Sequence, residues 1–299
     1  CDGTATHTAL CSNINAANHV SDITQSNTAS DTLDAFSTQF NNAVVDQNLA
    51  LINDCDETEV GFNDATCSDI ENSNFVGPIT QSSANEVGDE ADGATIDQLN
   101  NAVVGQTFGA TNNCDEAGIG DNIATNCNNL GDNFVESISQ ANTADVGDDF
   151  IQKNIAGLIS QNDQLTNDCD ELDDGTNSAS CNNNVDNSIA QVGQSNLALG
   201  TEVTDISQRN ALNVNQVMVA VNDCDQSGPG DNVAVCANSA ENAIDPLTQT
   251  NTASAHFFSD ITQDNDAAYS QVIDLNNDCD AATLTLTIEN NVGSCGNGA

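Results

Sequence analysis

Residues 169–181 read CDELDDGTNSASC, and the frame they set, a Cys-Asp dipeptide with a second cysteine shortly after it, returns six times along the 299-residue chain. The first cysteines are Cys1, Cys55, Cys114, Cys169, Cys224 and Cys279, spaced 54, 59, 55, 55 and 55 residues apart. A regular period of this size belongs to stacked supersecondary units, each burying its apolar face against its neighbours. The units are 1–54, 55–113, 114–168, 169–223 and 224–278, with a truncated sixth at 279–299, so residues 1–299 read as a single elongated repeat domain. The expected disulfides lie within units: Cys1–Cys11, Cys55–Cys67, Cys114–Cys127, Cys169–Cys181, Cys224–Cys236 and Cys279–Cys295. Each would close a protruding loop, because the stretches between the cysteines are rich in Gly, Asn and Asp, as in Gly118-Ile119-Gly120-Asp121-Asn122. Closing such a loop contributes about 2–3 kcal/mol by restricting the unfolded chain.

Outward from the cysteines, apolar and polar residues alternate, as in Ile206-Ser207-Gln208 and Leu212-Asn213-Val214-Asn215. Period-two alternation with β-branched residues predicts strands rather than helices. Within these stretches Gln returns in phase, at Gln25, Gln81, Gln140, Gln194 and Gln249, and again at Gln39, Gln98, Gln152, Gln208 and Gln263. A third set follows at Gln47, Gln106, Gln161, Gln216 and Gln271. A side-chain amide both donates and accepts, so identical amides stacked one strand spacing apart can bond into ladders. The fold class expected is therefore all-β, a repetitive β-solenoid. A unit this long suggests two or three coils, which gives a body about 50–75 Å long at the usual strand spacing of about 4.8 Å.

Composition narrows the function classes. Lys153 and Arg209 are the only Lys and Arg, against 46 Asp and Glu, for a net charge of −44. Nothing neutralises phosphate, so nucleic-acid binding is not expected. The longest apolar run, Val217–Val221, is far too short for membrane insertion. Aromatics make up 3% of residues, which suits a thin repetitive core better than a compact enzyme. His7, His19 and His256 fall out of phase with the repeat and form no metal motif, and the cysteine spacings are too wide for zinc. No catalytic constellation stands apart from the repeat, so no enzyme is expected. Disulfides at this density imply an oxidising compartment, and a chain starting at a cysteine in phase with the repeat reads as processed and secreted.

Val192-Gly193-Gln194-Ser195-Asn196-Leu197-Ala198-Leu199 resembles the curlin repeat of bacterial curli subunits, and the other Gln-x-Asn stretches are similar but looser. The resemblance covers about a third of each unit. It implies an extracellular functional amyloid whose Gln and Asn form inward ladders in a β-solenoid that stacks into fibres. The longer unit, the cysteines and the acidity depart from that family.

Two further readings concern partners and cofactors. Thr283-Leu284-Thr285-Leu286-Thr287-Ile288-Glu289 is the most regular alternating strand and lies in the incomplete unit. Leu284, Leu286 and Ile288 are thus candidates for contact with a second copy by strand addition, while the same strand read as a cap would close the solenoid. No cofactor is needed, but calcium is the candidate ligand, since Asp54/Asp56, Asp168/Asp170 and Asp223/Asp225 bracket first cysteines with hard oxygen donors. None of these matches an EF-hand loop. The expected function is a structural subunit of a secreted filament that joins head to tail, in a surface, biofilm-matrix or adhesive role. The alternative is a monomeric acidic calcium-binding adhesin or stalk.

Overall fold

In the strand Asp149–Asp168 every second side chain is buried: Phe150, Gln152, Asn154 and Ala156, then, after a one-residue slip at Gly157, Ile159, Gln161, Asp163, Leu165 and Asn167. Apolar and amide positions thus share one inward face. The strand pairs in parallel with Thr95–Asn113 on one side and Asp205–Asp223 on the other. The computed structural model describes residues 5–14, 16–31, 36–55, 61–70, 72–87, 95–115, 120–145, 149–172, 175–200, 205–228, 230–255, 260–283 and 292–298. Among them the regular structure is all β, in parallel sheets.

One circuit of the chain shows the architecture. Asn122–Val135 runs into Ile138–Asp145, and Asp149–Asp168 returns opposite both. Amides mark the facing positions: Asn142 Nδ2 donates to Lys153 O and Asn129 Nδ2 to Thr166 O, both at 3.0 Å. Two strands laid end to end therefore form one layer and a single long strand forms the other. The second layer is a five-stranded sheet of Phe36–Asp54, Thr95–Asn113, Asp149–Asp168, Asp205–Asp223 and Ile261–Asp278. Opposite it lie a sheet carrying the second cysteines and a five-stranded sheet from Ile23–Asp31 to Leu247–Ser254. A fourth, short sheet joins Glu171–Leu172, Gln226–Gly228 and Ala281–Thr283.

Partners in register, such as Ile138 with Ile79 and Val192, lie one cysteine period apart. Each unit therefore makes one flattened coil, not the expected two or three. Five coils at a rise of about 4.8 Å give a stack about 25 Å high. The physical reason is that the alternation continues unbroken from one Gln set into the next, so two stretches read as separate short strands are halves of one strand.

Insertions are absorbed without losing register. Cys114 and Cys127 are one residue further apart than Cys169 and Cys181, and two residues, Thr125 and Asn126, lie opposite Ser180 as a bulge. Asn126 takes the left-handed backbone, with φ of 58°. The buried Glu171 carboxylate accepts from the main-chain N–H of Ala124 beside this bulge and from that of Ser178.

Gly61, Gly120, Gly175 and Gly230 stack where the chain enters Gly61–Ile70, Asn122–Val135, Asn177–Ile189 and Asn232–Ile244, and a Cβ on Gly175 would fall on the carbonyl of Gly120. Gly61 and Gly120 have φ of 148° and 150°, a conformation L side chains rarely adopt. Gly175→Ala is expected to cost about 1–3 kcal/mol, read as a lower guanidinium midpoint with unchanged m-value.

Candidate functional site

The interior is organised in columns, each made of one position repeated from coil to coil. Gln25, Gln81, Gln140, Gln194 and Gln249 form one, in which each Nε2 donates to the Oε1 one coil earlier at 2.7–2.8 Å. Gln39, Gln98, Gln152, Gln208 and Gln263 form a second at 2.7–2.9 Å. Gln47, Gln106, Gln161, Gln216 and Gln271 form a third at 2.6–3.0 Å. The amide nitrogen also crosses to a main-chain carbonyl of the opposite layer, as Gln140 does to Ile155 at 3.0 Å. Leaving such a buried group unpaired costs about 1–3 kcal/mol, so these columns tolerate little else.

Asparagine columns lie beside them and run the other way. Asn41, Asn100, Asn154, Asn210 and Asn265 donate from each coil to the next at 2.9–3.1 Å. So do Asn53, Asn112, Asn167, Asn222 and Asn277, at 2.8–3.0 Å. This last set, two residues before each first cysteine, reads in the sequence as polar linker. In the structure it is the final inward position of the long strand, and its fixed offset from the cysteine was the available signal. Interior Gln columns thus donate toward the N-terminal end of the stack and these Asn columns toward the C-terminal end.

That polarity leaves complementary end faces. Ile79–Val87 faces two long strands, since Gln39 donates to Ala84 O and Gln81 to Asn101 O. Among the described residues Ile23–Asp31 faces Phe36–Asp54 alone, through Gln25 and Asn42 O. At the other end Gln263 and Asn265 are exposed, because among the described residues no strand of a following coil lies over Ile261–Asp278. The Oε1 atoms of Gln249, Gln263 and Gln271 accept nothing among the described residues, and Gln25 and Gln39 have no earlier glutamine to donate to. Leu284, Leu286 and Ile288 lie outside the described residues.

Among the described residues the cysteines line a shared core. Cys11 and Cys67 are in register on neighbouring strands, as are Cys127, Cys181, Cys236 and Cys295. Cys55, Cys114, Cys169 and Cys224 face them across a narrow core shared with Ala65, Ala124, Ala179 and Ala234. Disulfides join Cys169 to Cys181 and Cys224 to Cys236. Cys55, however, bonds Cys11 rather than Cys67, which removes the expected Cys1–Cys11 and Cys55–Cys67 pairs. Cys67, Cys114 and Cys127 are buried thiols, so the Cys114–Cys127 pair is also not formed. Cys279 is disulfide-bonded, and Cys1 lies outside the described residues. The reason is geometric: each first cysteine sits where the chain steps up to the next coil, between second cysteines below and above it.

Carboxylates of the Cys-Asp brackets come together, each cluster adding one from a neighbouring coil. Those of Asp168, Asp170 and Asp223 lie within 4.8 Å of one another, as do those of Asp225, Asp278 and Asp280. Asp54 stands in the Asp168 column with Asn113 between them, and Asp56 lies outside the described residues. Burial, then the neighbouring carboxylates, pushes Asp168 up to about 7 and Asp223 up to about 6. Asp163 is fully buried in a column otherwise made of Leu49, Phe108, Met218 and Ile273, and burial holds its carboxyl well above the usual range. The out-of-phase His19 stacks on Phe75, with ring centroids 4.7 Å apart.

Two outcomes follow from these columns. Asn154→Ala removes donors to Ser195 O, Asn196 and Asn210 and is expected to cost about 2–4 kcal/mol, measured by denaturant unfolding. Asp168 and Asp223 hold protons more tightly folded than unfolded. Their stabilisation is thus complete below the unfolded value of about 3.9 and is lost as pH rises through about 6 to 7. The thermal midpoint is expected to fall between about pH 5 and about pH 8, and Asp168→Asn with Asp223→Asn to flatten that slope. Comparison of the chain with protein-family models, with curated proteins and with solved structures finds no match.

Proposed function

We propose that the chain is the structural subunit of a secreted extracellular filament that grows by head-to-tail stacking of the solenoid, much as curli subunits stack. The observation that carries this reading is the complementarity of the end faces. Among the described residues the C-terminal face presents a long strand with no strand laid over it, and the N-terminal face presents Ile23–Asp31, which lacks a long strand on one side. Glutamine oxygens wait at one end and glutamine N–H groups at the other. Docking Ile23–Asp31 of one copy over Ile261–Asp278 of another would continue the glutamine columns in their own direction, with Ala5–Ile14 of the incoming copy taking the place of Val292–Gly298 beside Asn232–Ile244. Such a contact is heterologous and does not close, so it propagates. Buried cysteines and disulfides suit an oxidising exterior. Among the described residues no helix is long and apolar enough to cross a membrane.

A monomeric, calcium-binding adhesin or stalk is the second reading, favoured by the two cross-coil carboxylate clusters. Hard oxygen donors at this density suit a divalent cation, which would offset the repulsion that raises Asp168 and Asp223.

Negative-stain microscopy of the purified chain is expected to show filaments. Gln263→Lys, placing a charge on the open face, is expected to stop elongation while leaving the far-UV circular dichroism unchanged. Short monodisperse particles from the unsubstituted chain would rule the filament out. The adhesin reading expects those particles together with a thermal midpoint that calcium raises and a chelator reverses.

A further inference from the structure

The two disulfide spacings in this chain are not variants of one pattern but two different frames. Cys169–Cys181 and Cys224–Cys236 join residues 12 apart, a first cysteine to the second cysteine of its own unit. Cys11–Cys55 joins residues 44 apart, a second cysteine to the first cysteine of the following unit. Both fit the same fold because the reach is similar: the Cα atoms are 6.1 Å apart in Cys11–Cys55, and 7.0 and 6.8 Å apart in the other two. Where one frame meets the other an odd number of cysteines is left, and three thiols, Cys67, Cys114 and Cys127, remain.

These thiols lie against the bridges on either side. The Sγ of Cys67 is within 4.8 Å of both sulfurs of Cys11–Cys55, and that of Cys127 is within 4.8 Å of both sulfurs of Cys169–Cys181. The three thiol sulfurs are within 4.8 Å of one another. Hydrogen bonds from the thiols of Cys114 and Cys127 lower the Cys67 thiol and so favour its thiolate form. All three are buried, but Cys11 is only partly so.

We propose that the facing cysteine columns are a thiol–disulfide exchange ladder with a redox-active site at Cys67, Cys114 and Cys127, whose partner is a small-molecule disulfide or its thiol. In the exchange step the Cys67 thiolate attacks Sγ of Cys55. The Cys55–Cys67 bond forms, the Cys11–Cys55 bond breaks, and Cys11 leaves as the thiolate. Thiols and disulfides are conserved, so no oxidant is needed. In the oxidation step the Cys11 thiolate attacks a small-molecule disulfide and releases one small thiol. Cys114 attacks Cys67 of the Cys55–Cys67 bond, the freed Cys55 displaces the second small thiol from Cys11, and Cys127 attacks Cys114. Cys114–Cys127 and Cys11–Cys55 thus form, and Cys67 leaves as the thiolate. The buried site thereby reaches solvent through Cys11, and the frame shifts without backbone rearrangement. The inference stands on the cysteine geometry and does not depend on filament assembly.

The test maps the bridges of the full chain after equilibration in mixtures of a small-molecule thiol and its disulfide at several ratios. Samples are acid-quenched and alkylated, cut with an Asp- or Glu-specific protease, and analysed by mass spectrometry. Cys55 is expected to be found joined to Cys11 in some molecules and to Cys67 in others, with Cys114–Cys127 rising as the mixture becomes more oxidising. Cys67→Ser is expected to fix Cys55 to Cys11 and to abolish alkylation of Cys11. Should that variant not fold, Cys114→Ser keeps the exchange at Cys55 and loses the additional disulfide. Cys55 joined to one partner at every ratio would overturn the proposal, as would Cys11 alkylation that persists in Cys67→Ser.

Discussion

Everything in this fold depends on the requirement that a buried side-chain amide meet its own copy one coil away. An amide carries two donor hydrogens and an oxygen, and each left unpaired in a dry interior costs more than a made bond returns. Stacking identical residues at strand spacing satisfies both groups at once. The requirement also dictates register, since a slip of one residue would turn every inward Gln and Asn of a strand outward. The apolar columns, by contrast, accept Val, Ile, Leu, Phe and Met interchangeably. Even Asp163 sits in one of them, where Asn133 Nδ2 donates to it.

The amides also separate tasks that a conventional core combines. Along each long strand they alternate with apolar blocks: Phe150, then Gln152 and Asn154, then Ala156 and Ile159, then Gln161, then Leu165, then Asn167 beside the cysteines. The apolar blocks supply burial, and the amides supply alignment. Acidic side chains are mostly excluded from this interior and accumulate outside, where vertical stacking places like charges one strand spacing apart. The repulsion is concentrated beside the first cysteines, where Asp168 and Asp223 lie in one column, and there the carboxyls respond by holding protons. Arg209 relieves it at one outer position, lying 3.6 Å from Asp264 and 3.7 Å from Asp266.

A column that satisfies itself by repetition has no natural terminus. The donor direction of the glutamines and the opposite direction of the asparagines give the stack a polarity. The cysteines follow the same logic. Repetition puts equivalent sulfurs above and below each first cysteine, and so permits more than one pairing.

The strand class, the phase of the three glutamine sets and the repeat itself were legible in the sequence, because period-two alternation and fixed spacing are local or simply periodic signals. Gln208, for example, announces both its strand and its column. The number of coils per unit was not legible, because nothing in Gln208 to Gln216 marks whether the chain turns or runs on between them. Nor was the asparagine column at Asn167, which in sequence is indistinguishable from turn-forming linker. Cys169–Cys181 and Cys224–Cys236 follow the sequence spacing, but the partner of Cys55 was decided only in three dimensions. Cys55 is 12 residues from Cys67 and 44 from Cys11, and sequence distance favours the first. The rise of the coil places Cys55 between the two, and proximity in space rather than along the chain determines which sulfur it meets.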